Sequence, residues 1–250
     1  MGTDMGLSAE YYLEQLDVEA ARLREAAELG LDAAVPSCPG WTVETVVRHV
    51  AQVYLHKIEV LRLGALPKPW PPAGINDRDA LEQYDEARAA IVAALREAGT
   101  TKPTWTFNPD DSTSAFWFRR MAMETVVHRI DVEQAHDVVT PIAAELALDG
   151  IDEVLFPSLA GPWWAEGDTK YPIDATLRIT AEGRSWTIQA DAKAITVSQG
   201  AEGDVAAEIF GDPAAVYLWL WGRVGDDAVQ FAGSDDVVRA FRGRLTEATQ

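Results

Sequence analysis

Apolar residues recur three and four apart along YYLEQLDVEAARLREAAEL, with acids and arginines on the opposite face, so the stretch from Ser8 to about Leu29 predicts an amphipathic helix. Two prolines and a glycine in DAAVPSCPG end it. Thr42 is placed to cap a second helix, TVETVVRHVAQVYLHKIEVLRLG, running to roughly Leu63. The proline-dense PKPWPPAG, residues 67–74, cannot be helical, because each proline removes a donor and restricts the residue before it; it reads as a crossover or lid. A third helix is expected from Asn76 as N-cap to Ala98, and a fourth from about Ser114 to Asp137. Thr140 followed by Pro141 predicts a further helix to about Leu155.

The periodicity then changes from that of helices to that of strands. ATLRIT (175–180), RSWTIQA (184–190) and AITVS (194–198) alternate and are β-branched, Glu182-Gly183 suits a hairpin turn between the first two, and VAAEIFGD (205–212) reads as a further strand. Helices are expected from Pro213 through LWLWGR and from about Asp235 to Thr246. The pattern therefore predicts an α+β chain: an up-and-down four-helix bundle over residues 1–155 and a small α+β domain with an antiparallel sheet over residues 156–250, the boundary lying between 145 and 170.

Composition narrows the function more than the fold. Lys and Arg total 21 against 40 Asp and Glu, and the net charge of −19 repels nucleic acid and anionic membranes at long range. Arg119-Arg120 is the nearest approach to a basic patch and is too small to reverse that. No run of about 18 apolar residues predicts a membrane span. One cysteine, Cys38, cannot form an internal disulfide, and no secretory signal opens the chain, so a cytoplasmic protein is expected.

The stretch METVVHRID, residues 123–131, places Glu124 and His128 about 40° apart around a helix, side by side in an otherwise apolar run. Such a pair is commonly a surface hydrogen bond. Here Met121, Val126 and Val127 put part of its face in the core, where a carboxylate needs a partner, and a divalent metal is one that both side chains can bind. His49, in WTVETVVRHV, is the best placed third ligand; His56 competes for that position, and His136 lies off the face. Three protein ligands leave a coordination position open, as in catalytic zinc sites. Nickel, iron and manganese suit the same ligands. Cys38 as a nucleophile has no partner indicated by the sequence. Trp41, after the Pro39-Gly40 turn, anchors the second helix and is a candidate cofactor contact. Gly-rich phosphate loops, G-x-S-x-G and paired-cysteine zinc motifs are absent from the sequence.

VPSCPGWTVETVVRHVAQV and METVVHRIDVEQAH together resemble the mycothiol-dependent maleylpyruvate isomerase family of actinobacteria, a branch of the DinB-like metal-binding bundles. The resemblance covers the N-terminal 140 residues; the remainder resembles the sterol-carrier-protein-like domain carried by that family. It implies a metal triad of His49, Glu124 and His128, and a functional arginine at Arg223 in LWLWGR that binds a carboxylate of substrate or thiol. The arginine could equally offset the dipole at its helix C-terminus. The resemblance further implies mycothiol as thiol cofactor, its sulfur acting as a thiolate that adds to the cis double bond of maleylpyruvate, allows rotation, and is eliminated to give the trans product.

The expected activity is thus a divalent-metal-dependent, mycothiol-dependent enzyme, with zinc the foremost metal: an isomerase or a thiol S-transferase acting on a small electrophile or anionic substrate, as a monomer or weak homodimer. Its rival is a non-catalytic metal, thiol or apolar small-molecule binding protein, favoured by the apolar helix carrying Trp219 and Trp221.

Overall fold

The computed structural model describes residues 6–161, 169–191 and 194–249. The chain divides into two compact units, Met1–Thr140 and Pro141–Gln250. Part of the 145–170 boundary window, residues 162–168, lies outside the described residues.

The first unit is built of four helices, α1 (Ala9–Ala27), α2 (Val43–Leu63), α3 (Ala80–Ala98) and α4 (Ala115–Gln134). Ser8 caps α1 by accepting from the Tyr11 N–H, and Thr42 caps α2 in a reciprocal box with Thr45. Asp79, not Asn76, caps α3, accepting from the N–H groups of Leu81 and Glu82. Asn76 instead accepts from Gln52, at 2.7 Å, which frees the segment before α3 to run as turns. Packing is chiefly α1 on α4 and α2 on α3, with α2 also meeting α4. Residues 67–74 contain no helix, as their prolines dictate.

Helix α4 is the central rod, buried on almost every face from Phe116 to Glu133. A helix in that position should be apolar all round. This one carries Glu124, Thr125, His128, Arg129, Asp131 and Glu133 into the interior, and each is paired there. Arg129 is fully buried, its Nε 2.7 Å from Glu19 Oε2 on α1 and its Nη1 2.8 Å from Glu133 Oε2. Thr140 closes this network: its carbonyl and Oγ1 accept from Arg129, and its own hydroxyl donates to Glu133 at 2.7 Å. That engagement is why Thr140 does not cap the next helix as expected.

Helix α5 (Ala144–Glu153) starts three residues past Pro141 and widens into a π-helical turn, Val154–Leu159, that contains Pro157. Sequence reasoning counted α5 with the bundle; it groups with the second unit. There, β1 (Ala175–Ala181), β2 (Arg184–Ala190), β3 (Ile195–Gln199), β4 (Ala207–Gly211) and β5 (Gln230–Gly233) form one sheet in the order β3-β2-β1-β4-β5. Glu182 and Gly183 take φ values of 45° and 78°, both positive as a two-residue hairpin turn requires, and set Ala181 opposite Arg184. The sheet is mostly antiparallel, as expected, with β4 pairing parallel to β1. The short β5, alternating too weakly to be read in advance, completes the edge. Helices α6 (Pro213–Leu220) and α7 (Asp235–Thr249) follow β4 and β5, and the side chains of Trp219 and Phe241 from these helices stack at 6.4 Å. Asp212 caps α6, accepting from Ala214 and Ala215, with Pro213 at the first helical position.

Candidate metal centre

Helix α2 buries a stripe of Val43, Val46, Val47, Val50, Ala51 and Tyr54, and His49 stands at the edge of that stripe with its side chain 37% exposed. Glu124 and His128 project from α4 toward it, each side chain only 9% exposed. The carboxylate oxygen Oε1 of Glu124 lies 3.1 Å from His49 Nε2 and 3.2 Å from His128 Nε2. Two ligands of a tetrahedral ion, each about 2.0–2.1 Å from it, stand about 3.3 Å apart. The potential ligand atoms of all three residues fall within 4.8 Å of one another, and this is the one such group of three among the described residues. Both imidazoles aim an Nε2 at one oxygen, so a cation could be bound by all three side chains at once.

The surroundings fix these donors. Arg120, one turn before Glu124, donates from Nη2 to the second carboxylate oxygen, Oε2. Asp131, three residues after His128, accepts from His128 Nδ1 at 2.9 Å and so leaves Nε2 facing Glu124. Ser37 donates to the other Asp131 oxygen at 2.5 Å, and Cys38 Sγ lies 3.7 Å from Oδ2. A carboxylate behind a histidine sets the ring orientation and raises its basicity as a ligand. Asp131→Ala is therefore expected to weaken zinc affinity roughly 10–100-fold, measured by competition with a chromogenic chelator. Unchanged affinity would mean that Asp131 does not position the ring.

Electrostatics agree with a cation-binding arrangement. Burial pushes the Glu124 carboxyl up, but Arg120 and His128 outweigh it and hold the group well below the usual carboxylate range. Burial opposes charge on His128 too, yet Glu124 and Asp131 raise its pKa to about 9. A proton thus occupies the imidazole at neutral pH where a metal ion would otherwise supply positive charge.

Trp41 stands against both histidines, 5.1 Å from the His49 ring and stacked at 6.4 Å on that of His128. With Glu44, Thr45, Arg48, His49, Gln52 and Asn76 it lines an open cavity of about 470 Å³, so the His49 side of the centre is the accessible one. His56 is not part of the group. Its Nδ1 instead pairs with Lys57 Nζ at 2.9 Å, and its ring meets Trp70 at 5.0 Å. His136 lies near Gly30, beyond the C-terminal end of α4. Arg223 belongs to the second unit, just past α6, where its Nη1 donates to the Trp221 carbonyl at 2.7 Å.

Sequence reasoning missed Arg120 and Asp131 as parts of the centre. The same four- and three-residue spacing that paired Glu124 with His128 would have found both. Ser37 and Cys38 come from the loop before α2 and carry no local signal of their role.

Residues 13–133 match the family described as the mycothiol maleylpyruvate isomerase N-terminal domain. The crystal structure of a mycothiol-dependent maleylpyruvate isomerase superposes with a TM-score of 0.64, covering 93% of this chain and 96% of that one at 15% identity. A mutant of the same enzyme gives the same values. At that identity the likeness is one of fold, and it extends over both units. A UbiJ-SCP2 ubiquinone synthesis protein aligns with 44% of this chain and 96% of its own at 18% identity, with a TM-score of 0.32 that carries no argument about the second unit. No curated protein matches. The N-terminal unit, with 121 residues matched, therefore carries a region of the mycothiol maleylpyruvate isomerase N-terminal domain family.

Proposed function

We propose that the protein is a divalent-metal-dependent enzyme that uses mycothiol as its thiol, either as an isomerase of the maleylpyruvate type or as a thiol S-transferase. The observation that carries this reading is the convergence of His49 Nε2 and His128 Nε2 on one oxygen of Glu124, beside a cavity that a ligand can enter. His49, Glu124 and His128 would hold the ion, with zinc foremost by donor chemistry. A bound divalent ion would supply Lewis acidity that keeps a thiol deprotonated at neutral pH.

The chain's own groups do the rest. Asp131 and Arg120 hold the donor atoms in place, so little reorganisation is needed when the site is filled. Trp41 provides a flat apolar wall against the two histidine rings. Arg223 is assigned to an anionic group of substrate or thiol; a guanidinium suits bidentate carboxylate recognition.

The test is turnover by zinc-loaded protein with mycothiol, using maleylpyruvate and a panel of electrophiles. Trans product formed without net thiol loss identifies an isomerase, and stoichiometric thiol consumption identifies a transferase. Saturable thiol binding with no turnover on any member of the panel would leave a binding protein and end the enzymatic reading.

A further inference from the structure

Along the seam between α2 and α4, His49 meets Glu124 and, two turns on, Lys57 meets Trp117, so the helices run antiparallel there. Lys57 is half-buried, with its ammonium 4.7 Å from the centre of the Trp117 ring and 5.9 Å from that of Trp105. Its hydrogen-bond partner is the neutral ring of its neighbour His56. No carboxylate pairs with it among the ion pairs of the described residues. That is unusual in a chain with 40 acidic residues and 21 basic ones, because a partly buried cation ordinarily recruits an anion from the protein.

Two loops bring aromatic rings to this point. Trp70, from the proline-dense segment after α2, meets His56 edge-on, and Trp105, from the segment before α4, stacks on Trp117 at 6.0 Å. An ammonium with spare N–H donors, set among flat apolar rings, is suited to a carboxylate on a small conjugated molecule. Trp117 precedes Glu124 by seven residues, about 10 Å along the helix. The lysine thus lies on the same seam as the candidate metal centre, at small-molecule range from it.

We propose that Lys57 is an anion-binding subsite, its ammonium holding a carboxylate of a small molecule bound between Trp105 and Trp117. The subsite serves the metal and thiol centre proposed above and rests on that reading. Burial lowers the Lys57 pKa to about 8, with Arg120 adding to the effect and Glu124 opposing it. His56, lowered to about 4 by burial and by Lys57, stays a neutral acceptor.

The test is calorimetric binding of maleate, and of its uncharged dimethyl ester, to the zinc-loaded full-length protein at pH 7, with zinc content measured on each sample. Loss of one charged hydrogen bond should weaken maleate binding roughly tenfold or more in Lys57→Met and Lys57→Gln. Lys57→Arg should retain affinity within about threefold, and the ester should bind all four proteins alike. Two neutral variants guard against one failing to fold. Maleate binding that is absent in the parent protein, or equal in the parent and the folded neutral variants, overturns the proposal. A chain that takes up no zinc overturns the metal reading instead, while the comparison of variants still decides the role of Lys57.

Discussion

His128→Ala is expected to abolish stoichiometric metal binding. The parent protein should carry about one zinc per chain by elemental analysis after dialysis, and the variant close to none. The site supplies three protein donors, so removing one leaves two, and the loss should exceed the roughly 10–100-fold typical of an outer partner such as Asp131. His128→Ala also removes the ring that Asp131 orients and half of the pair aimed at Glu124 Oε1. The same residue gives the site a pH dependence. In the metal-free protein His128 titrates at about 9, above the 6.5 of an ordinary imidazole, so its protonation stabilises the metal-free fold fully below pH 6.5 and ceases to do so as pH rises through 9. A metal requires the neutral ring. Apparent zinc affinity should therefore fall as pH drops below 9, by about tenfold per unit, with a proton released on uptake at pH 7. Potentiometric zinc titration measures both. A variant that keeps its zinc, or an affinity flat from pH 6 to 9, would remove His128 from the ligand set.

The second large effect is structural. Arg129, next to His128, is held in the interior between Glu19 of α1 and Glu133 of its own helix. Removing one partner of a buried ionic network leaves uncompensated charge, which costs about 3–5 kcal/mol. Arg129→Ala should lose about that much stability in urea unfolding, because Glu133 loses its cation, whereas Glu19 keeps Arg22 at 2.9 Å. Replacing the network as a whole, with Arg129→Met, Glu19→Gln and Glu133→Gln together, should recover much of the loss, since no unpaired charge then remains. A single-variant loss under about 1 kcal/mol would show that the network is hydrated rather than buried. The two substitutions also separate stability from chemistry: His128→Ala should cost metal before it costs fold, and Arg129→Ala the reverse.

Much of this was legible along the chain. Helix spacing paired Glu124 with His128, and the cap at Thr42 was correctly read, because these features depend on residues within one or two turns of each other. The Glu182-Gly183 hairpin was legible for the same reason. Asn76 and Thr140 were misread as caps because distant partners engage them: Gln52 holds the first, and Glu133 with Arg129 the second. A local capping bond is worth about 1 kcal/mol, and a charged network can outbid it. His56 could not be separated from His49 by helix angle alone. Lys57 and Trp70 decide that question, drawing His56 away from the carboxylate.

The amino-acid order by itself determined the α+β class, the four helical rods, the hairpin and the Glu-His pair, since all of these follow from periodicities of two and 3.6 residues. Only the folded chain decided that His49 meets that pair, that Asp131 and Arg120 set the donor atoms, that β4 joins β1 in parallel, and that Lys57 stands over the rings of Trp105 and Trp117. Each of these depends on which surfaces meet when α2 packs on α4 or when a strand crosses over the sheet. That choice is made by burial of the whole apolar surface, which no local pattern encodes.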